Sequence, residues 1–160
     1  MGLLQIVVEP FPGSRKELLP LFSEADDSRA EIAGYIELGE VLVARRADRI
    51  VGHVQVIANG SDWEIRSLAV VVGERGRGIG KSLLRAAIER AFSAGASRVL
   101  VATATADIGN LRFYQQLGFR MERVERDAFT AARGYPNLQV EGIPVRDRVW
   151  FSLDSRAALV

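Results

Sequence analysis

Cysteine is absent from this chain, and histidine occurs once, at position 53. Without a thiol, the protein can form neither a disulfide nor a zinc–thiolate site, and it has no cysteine nucleophile for a covalent intermediate. One imidazole is too few for a histidine-based metal centre, so we expect no metal. Long hydrophobic runs are also missing, and the first residues, MGLLQIVV, lack the basic start of a signal peptide. We therefore expect a cytoplasmic protein that does not enter a membrane.

An excess of charge of either sign is missing as well. The formal net charge is +1, so the composition indicates neither a nucleic acid nor an anionic membrane as partner. What is present, 48% hydrophobic and 26% charged residues, is typical of a globular protein. A chain of 160 residues can bury a core of its own, and it contains no internal repeat or linker. We expect a single domain over residues 1–160.

The most informative stretch is a glycine-rich turn between a predicted strand and a predicted helix. The strand covers Glu64 to Val72, which is rich in apolar and β-branched residues. The turn is the segment 73–80, GERGRGIG, with four glycines. From Ile79 onward apolar residues recur at helical spacing, and Gly95 is placed to end the helix. The order is therefore strand, loop and helix.

Such a loop is suited to bind an anion. Unpaired backbone N–H groups and the positive end of the helix dipole converge on it, and alternating glycines keep side chains away from a ligand. Three basic side chains add positive charge. We therefore predict a pyrophosphate site formed by Arg75, Gly76, Arg77, Gly78, Ile79, Gly80, Lys81 and Ser82.

Two other phosphate-binding motifs fit this loop poorly. A P-loop requires glycine five residues before Gly80, where this chain has Arg75. A dinucleotide-binding fingerprint that starts at Gly76 and Gly78 requires its third glycine at the position of Lys81. The remaining alternative is a tight turn whose basic residues only keep the protein soluble.

The loop does resemble the acyl-coenzyme A signature of the GNAT superfamily of N-acetyltransferases. In that signature Arg or Gln is followed by two residues, Gly, one residue, and Gly or Ala, which here are Arg75, Gly78 and Gly80. A second segment, Asn110 to Phe119 (NLRFYQQLGF), is similar to the family's later helix, which contains an aromatic-Tyr pair and is followed by Gly-Phe. The resemblance covers essentially the whole chain. It implies acetyl-CoA as co-substrate.

Turn and helix signals divide the rest of the chain into short elements. Ser14 with Glu17, and Ser28 with Glu31, have the spacing of capping boxes, and Asn59-Gly60 predicts a hairpin. The strand after the central helix must run parallel to the strand before it. We expect strands over residues 3–8, 41–46, 50–58, 64–72, 98–103, 119–129 and 145–153, and helices over 15–22, 29–38, 79–94 and 108–117.

This element order predicts the fold class as α/β (α+β). It matches the GNAT-type acyl-CoA N-acyltransferase fold that the resemblance implies, with a mixed twisted sheet of about seven strands and about four flanking helices. In the family, the strand before the loop bulges near Leu68, Ala69 and Val70 and splays from its parallel neighbour. Pantetheine pairs with the exposed backbone there, and a backbone N–H stabilises the oxyanion.

The resemblance also implies catalytic residues. Tyr114 corresponds to the family tyrosine that protonates the leaving thiolate, and Asn110, on the same helix face, is a candidate coenzyme contact. Many members carry the asparagine where this chain has Asp107, which can instead cap the helix. Glu64 matches the glutamate that accepts the amine proton through water. His53 is the competing base, although a lone histidine in an alternating strand is more often structural.

The acceptor is expected between the early helices and the loop before the last strand. The activity implied is transfer of an acetyl group from acetyl-CoA to a primary amine, on a small molecule or a peptide, directly within a ternary complex. The alternatives are a non-catalytic acyl-CoA-binding module and, less favoured, a nucleotide kinase. Family members are often homodimers. Candidate acceptor contacts, on surfaces that are usually only solvated, are Tyr35, Glu24, Asp26, Asp27, Phe129, Tyr135, Glu141 and Asp147.

Overall fold

The structure is a computed structural model that describes residues 5–157. Nine strands and four α-helices are found in this range, together with three short 3₁₀ turns. The strands are β1 (Ile6–Pro10), β2 (Glu40–Arg46), β3 (Arg49–Asn59), β4 (Asp62–Val70), β5 (Arg98–Ala104), β6 (Arg120–Glu125), β7 (Gln139–Val140), β8 (Ile143–Pro144) and β9 (Arg148–Asp154). The helices are α1 (Leu19–Ala25), α2 (Arg29–Tyr35), α3 (Ile79–Ser93) and α4 (Ile108–Gln116).

Seven strands form one mixed sheet in the order β1-β2-β3-β4-β5-β9-β6, and β7 and β8 form a separate hairpin. Helices cover both faces of the sheet. On one face, α3 and α4 pack on a large core that includes Leu83, Leu84 and Phe151. On the other face, α1 and α2 pack on a smaller core around Phe22 and Ile32. The predicted fold class, with about seven strands and four helices in an α/β arrangement, is confirmed.

The two parallel strands at the centre of the sheet separate after a few residues. β4 and β5 pair from Asp62 to Ile65 on one strand and from Arg98 to Val101 on the other. β4 continues to Val70 and β5 continues to Ala104 without further pairing between them. Each strand keeps its other neighbour, β3 or β9. Backbone groups on the facing edges of the two strands are therefore available to a ligand.

A bulge in β4 changes which side chains enter which core. β3 residues Gln55 and Val56 pair with Ser67 and Ile65, so Arg66 is the extra residue. Before the bulge, Ile65 belongs to the core under α3. After it, Ala69 belongs to the core under α1 and α2. The family resemblance predicted a bulge near Leu68 to Val70, and the structure has it at Arg66.

The first helical segment differs from its predicted form. Residues Arg15–Leu18 form a 3₁₀ turn, and α1 runs from Leu19 to Ala25 with Pro20 in its first turn. Proline is tolerated there because the N–H groups of the first turn have no acceptor within the helix. Ser14 makes no side-chain cap, whereas Ser28 accepts a bond from the Glu31 N–H, as its spacing predicted.

Several predicted boundaries were too long or shifted. The strand predicted to end at residue 72 ends at Val70, and Val72–Glu74 form a 3₁₀ turn. The strand predicted over residues 119–129 covers only Arg120–Glu125, and α2 ends at Tyr35 instead of residue 38. Strand β1 covers Ile6–Pro10, while residues 3–4 of the predicted strand lie outside the described residues. The last strand begins at residue 148, not 145.

Candidate active site

A cleft of about 810 Å³ opens where β4 and β5 separate. It is continuous from the glycine-rich loop to the ends of α1 and β9. We call the part lined by the loop, the ends of β4 and β5, and α4 the coenzyme half, and the part lined by segments 24–27, 129–135 and β9 the acceptor half. Among the predicted site residues, the cleft is lined by Glu64, Leu68, Ala69, Val70, Arg75, Gly76, Gly78, Ile79, Gly80, Lys81, Asn110 and Tyr114.

The glycine-rich loop presents free backbone N–H groups to the cleft. Gly76 and Gly78 have φ values of +75° and +81°, which glycine adopts without strain. The first backbone bond of α3 is donated by the Ser82 N–H to the Gly78 carbonyl, at 3.0 Å. The N–H groups of residues 79–81 therefore have no acceptor within the helix. With the helix dipole behind them, they form an anion site.

The basic side chains of the loop are held in different ways. Arg75 pairs with Glu24 at the end of α1, with a nitrogen–oxygen distance of 3.1 Å, and its Nε donates to the Val70 carbonyl. Lys81 forms no ion pair with any residue in the described part of the chain, and it lines the cleft. Arg77 and Ser82 do not line the cleft, so their predicted phosphate contacts stay predictions.

Behind the loop, one buried carboxylate is shared by three arginines. Glu74 lies 3.1 Å from Arg46, 3.5 Å from Arg77 and 3.9 Å from Arg49. Its side chain is only 12% exposed. Of the basic residues of the loop, Arg75 and Arg77 each pair with a carboxylate. Lys81 pairs with none within residues 5–157, and it lines the cleft.

Tyr114 lies at the floor of the coenzyme half. It is 6% exposed and packs against the rings of Phe119 and Phe151, at centroid distances of 5.9 and 5.7 Å. Burial raises the pKa of its phenol above the ordinary value, and the negative charge of Asp107 raises it further. At neutral pH the phenol of Tyr114 therefore keeps its proton and can serve as a hydrogen-bond donor.

The helix that carries Tyr114 begins with the cap that the sequence predicted. Asp107 Oδ1 accepts a bond from the Asn110 N–H at 2.9 Å. The Asn110 side chain lines the cleft and donates through Nδ2 to Thr103 Oγ1 on β5, at 3.1 Å. Asn110 thus connects α4 to the splayed end of β5, while its predicted contact with the coenzyme stays a prediction.

Glu64 lies at the border between the two halves of the cleft. Its side chain is 29% exposed, and its closest ionic partner is Arg66, at 4.0 Å. Burial raises the pKa of the Glu64 carboxyl, against the smaller opposing effects of Arg66 and Arg148. A carboxylate with a raised pKa is a better proton acceptor than an ordinary glutamate.

His53, the competing base, lies outside the cleft. Its side chain is fully buried against the Phe22 ring, at a centroid distance of 4.4 Å, and its Nε2 is 2.8 Å from Ser67 Oγ. Burial lowers the pKa of the imidazole to about 3. The side chain belongs to the core under α1 and α2, so its position favours the structural interpretation.

The acceptor half combines carboxylates with aromatic rings. Asp26 accepts a hydrogen bond from the Tyr35 hydroxyl at 3.0 Å. Next to it, burial and the charges of Asp26 and Glu24 raise the pKa of the Asp27 carboxyl. Phe129 and Tyr135 stack edge to face at 5.0 Å. Of the eight candidate acceptor contacts, Glu24, Asp26, Asp27, Phe129 and Tyr135 line the cleft, whereas Tyr35, Glu141 and Asp147 do not.

Three residues of the acceptor half were missed from the sequence. Arg66 lies over the Tyr35 ring at 3.8 Å, and Arg148 lies over Phe129 at 5.1 Å. Trp150 lines the cleft and donates from its indole N–H to a carboxylate of β6. A signal for two of them existed, because Arg148 and Trp150 are two residues apart in a predicted strand and must share one face.

No helix within residues 5–157 is long and apolar enough to cross a bilayer. Across the same range, no group of His, Asp and Glu side chains has the arrangement of a metal site.

Comparison with known proteins agrees with this geometry. The model of the Acetyltransferase (GNAT) family matches residues 3–119. An uncharacterised N-acetyltransferase of Bacillus subtilis, YvbK, is 31% identical over 96% of this chain and 99% of its own length. Among solved structures, an IAA acetyltransferase from Bacillus cereus superposes with a TM-score of 0.86, at 30% identity, over 94% of this chain and 99% of that one.

A Bacillus subtilis acetyltransferase solved in complex with CoA has a TM-score of 0.85 at 30% identity, again over 94% of this chain and 99% of that one. The family match covers most of the chain, and these relatives cover nearly all of it. The glycine-rich loop, the splayed strands and the tyrosine on α4 lie within the matched residues. This chain belongs to the GNAT family of acetyltransferases.

Proposed function

We propose that the protein transfers the acetyl group of acetyl-CoA to a primary amine by direct attack within a ternary complex. The observation that carries this proposal is the single cleft that joins the anion site of the loop, the splayed ends of β4 and β5, Tyr114 and Glu64. Acetyl-CoA supplies a thioester, whose carbonyl carbon an amine can attack with loss of the thiolate. Relatives that are solved with CoA support the same co-substrate.

The coenzyme half has the groups that such a ligand needs. Free N–H groups of Ile79, Gly80 and Lys81 suit a pyrophosphate, and the Lys81 ammonium supplies a charge that no carboxylate of residues 5–157 pairs with. Leu68 to Val70 form a strand edge that does not pair with β5, and of its backbone groups the Val70 carbonyl already accepts a bond from Arg75. The remaining groups suit an amide-containing arm such as pantetheine.

Two side chains would handle protons. An alkylammonium must lose a proton before it attacks, which costs about 4 to 5 kcal/mol at neutral pH. Glu64 accepts that proton, directly or through water, helped by its raised pKa. Tyr114 donates its proton to the leaving thiolate and recovers one from solvent afterwards. No covalent acyl-enzyme is needed, since the chain has no cysteine.

The test uses the two lysines of the chain. Calorimetric titration with acetyl-CoA should give saturable binding, and Lys81→Ala should weaken it by about tenfold because one charge-assisted phosphate contact is lost. Lys16→Ala is the matched control, since Lys16 lies in the 3₁₀ turn before α1, outside the cleft. Turnover is then measured as free CoA thiol released with a panel of primary amines. The protein adds no thiol of its own to this assay.

The outcomes separate this function from a binding module without activity. Binding with thiol release supports the enzyme. Binding without release for any amine in the panel, and without acetylation of peptide amino groups, would instead favour an acyl-CoA sensor. Failure to bind acetyl-CoA would overturn both.

A further inference from the structure

Before α3 begins, the glycine-rich loop has one buried residue, and that residue is charged. From Val72 to Gly78 the other residues are exposed, whereas Glu74 is only 9% exposed. Three of these seven residues are glycines, which lose more conformational freedom on ordering than other residues do. A segment of this composition needs contacts with the rest of the fold to hold one conformation. Here a carboxylate lies where a buried apolar side chain would usually supply them.

Glu74 connects the loop to a rigid part of the sheet. Its Oε2 accepts a hydrogen bond from Arg46 Nη2 at 3.1 Å, and the two side chains are 12% and 19% exposed. Arg46 is the last residue of β2, which has β1 on one side and β3 on the other. Besides the pairs of Glu74, the ion pair that joins the loop to another element within residues 5–157 is that of Arg75 with Glu24, which is about half exposed. Glu74 and Arg46 therefore form the firmer connection.

The part of the loop that Glu74 holds carries unpaired N–H groups. In the described range, the N–H groups of residues 76–78 donate to no acceptor, and those of residues 79–81 continue the row at the start of α3. Ile79 is 2% exposed and belongs to the core, so the helix end is fixed by packing. Residues 76–78 have no buried side chain. The direction of their N–H groups therefore depends on the contacts of Glu74.

The charge of Glu74 does not by itself explain a carboxylate at this place. Glu74 lines the coenzyme half of the cleft, where a negative charge repels an anionic ligand. It also pairs with Arg77 at 3.5 Å and so occupies a cation that an anion could use. Electrostatics alone would favour a neutral residue here. What the carboxylate provides is the bond to Arg46.

We propose that Glu74 is a positioning residue for acetyl-CoA: its pair with Arg46 holds the glycine-rich loop in the conformation that presents the N–H groups of residues 76–78 to the pyrophosphate. This inference rests on the coenzyme proposed above. A loop that is already ordered binds more tightly, because it loses no conformational entropy when the ligand arrives. Glu74 thus strengthens the binding of an anion although it is itself an anion.

Two substitutions separate the position of Glu74 from its charge. Glu74→Gln keeps the length of the side chain and removes the charge, whereas Glu74→Asp keeps the charge and shortens the reach to Arg46. Both should weaken acetyl-CoA binding in calorimetric titration by about tenfold, because either change loosens a charge-assisted bond. If only charge mattered, Glu74→Gln would tighten binding by about twofold to fivefold and Glu74→Asp would leave it unchanged.

The matched control is Glu9→Gln. Glu9 of β1 pairs at 2.6 Å with Arg45, the neighbour of Arg46 on β2. This substitution removes a carboxylate partner from the same strand without touching the loop, so acetyl-CoA binding should be unchanged. Circular dichroism checks that each variant is folded.

Trypsin cleavage reports the order of the loop without any ligand. Trypsin cuts after arginine, and Arg75 and Arg77 both lie in the loop. Cleavage requires the segment to leave its ordered conformation. In the protein without coenzyme, both Glu74 variants should therefore be cut there faster than the wild type and Glu9→Gln, as followed by mass spectrometry of the fragments.

Steady-state kinetics, with an amine that the wild type acetylates, should show where the substitutions act. The KM for acetyl-CoA should rise in both Glu74 variants. kcat at saturating acetyl-CoA should stay unchanged, because Tyr114 and Glu64 are intact and the bound state is the same.

The outcomes distinguish this inference from the proposed function. A wild type that does not bind acetyl-CoA would overturn both. A wild type that binds, with equal or tighter binding by either Glu74 variant, would overturn this inference alone. Unaltered trypsin cleavage of the loop, or a fall in kcat without a change in the KM for acetyl-CoA, would do the same.

Discussion

The two halves of the cleft are built by different means. The coenzyme half is built largely around the backbone of the stretch from Leu68 to Lys81, with glycines where a side chain would interfere, and is completed by the end of β5 and by α4. The acceptor half is made of side chains from the end of α1, from β4, from the segment before β7 and from β9. Backbone N–H groups keep their chemistry whatever the residue, whereas a side-chain wall changes with each substitution.

The difference extends to charge. In the coenzyme half, Lys81 keeps its charge uncompensated by a carboxylate of the described residues. In the acceptor half, Arg66 faces Glu31 and Glu64, and Arg148 faces Glu125, so the arginines there are paired. One half is thus suited to an anion, whereas in the other half the arginines are already paired and the carboxylates of Asp26 and Asp27 line the cleft.

The largest effect should come from removing Tyr114, the proton donor that we propose. Tyr114→Phe keeps the ring packing on Phe119 and Phe151, so we expect acetyl-CoA binding to be unchanged. kcat should fall by about a hundredfold or more, because the thiolate would leave without general-acid help. Steady-state kinetics with calorimetry checks both. Tyr135→Phe, in the acceptor half, is the control and should act on the acceptor KM. An equal loss of coenzyme binding in Tyr114→Phe would contradict the assigned role.

Glu64→Gln should remove the acidic limb of the kcat/KM profile, which we attribute to the Glu64 carboxyl at the border of the two halves. Because burial raises the Glu64 pKa, the wild-type kcat/KM should fall on acidification from a pH above the ordinary glutamate value of 4.5. The carboxylate is the active form, so activity is present above that pKa and is lost below it. The variant should be slower by about tenfold to a hundredfold and lose this acidic limb. The measurement is a pH profile of kcat/KM for both proteins. If Glu64→Gln keeps the acidic limb, another group is the base.

Adding one methyl group at Gly78 should weaken the binding of acetyl-CoA without affecting the acceptor. Gly78→Ala forces a side chain into φ +81°, which costs about 1 to 2 kcal/mol, and should weaken acetyl-CoA binding by about tenfold. Gly73→Ala is the matched control in the same loop, since its φ is not positive and no atom lies within 4 Å of the added carbon. The acceptor KM should be unaffected in both. Equal effects at the two glycines would show that the backbone conformation is not what matters.

The smallest effect should come from breaking the ion pair that joins the two halves of the cleft. Arg75 of the loop is paired with Glu24 of the acceptor half, and both side chains are about half exposed. Glu24→Gln frees Arg75 for the pyrophosphate and should tighten acetyl-CoA binding by about twofold to fivefold, as expected for an exposed pair. Glu40→Gln, which breaks the equally exposed pair with Arg90, is the calorimetric control. Weaker binding in Glu24→Gln would mean that the pair holds Arg75 in its binding position.

The sequence was informative wherever neighbouring residues determine the structure. The loop, the start of α3 and the caps at Ser28 and Asp107 depend on residues a few positions apart, and each was predicted at the right place. The apolar and β-branched residues before the loop also predicted β4. The family resemblance added the positions of Tyr114 and Glu64 in the cleft.

The features that the sequence did not predict depend on contacts between residues that are far apart in the chain. The bulge at Arg66 is set by how β3 pairs with β4, which no local pattern records. Glu74 was passed over because its partner Arg46 is 28 residues away. Arg77 lies in the same basic, glycine-rich segment as Arg75, so the sequence alone did not distinguish the two. In the fold, Arg77 pairs with Glu74 and does not line the cleft. Side chains that meet only after folding were therefore the ones that the sequence did not predict.

The bulge at Arg66 has a consequence for changes in chain length. Deleting Arg66 would leave the β3 partners of Ile65 and Ser67 unchanged, because the bulge residue has no partner of its own. Every later side chain of β4 would keep its face, and Leu68 and Ala69 would stay in their separate cores. The deletion would instead remove the local bend of the strand. A straighter β4 would continue beside β5 beyond Ile65 and narrow the opening between them, so this one residue matters for the width of the cleft and not for the core.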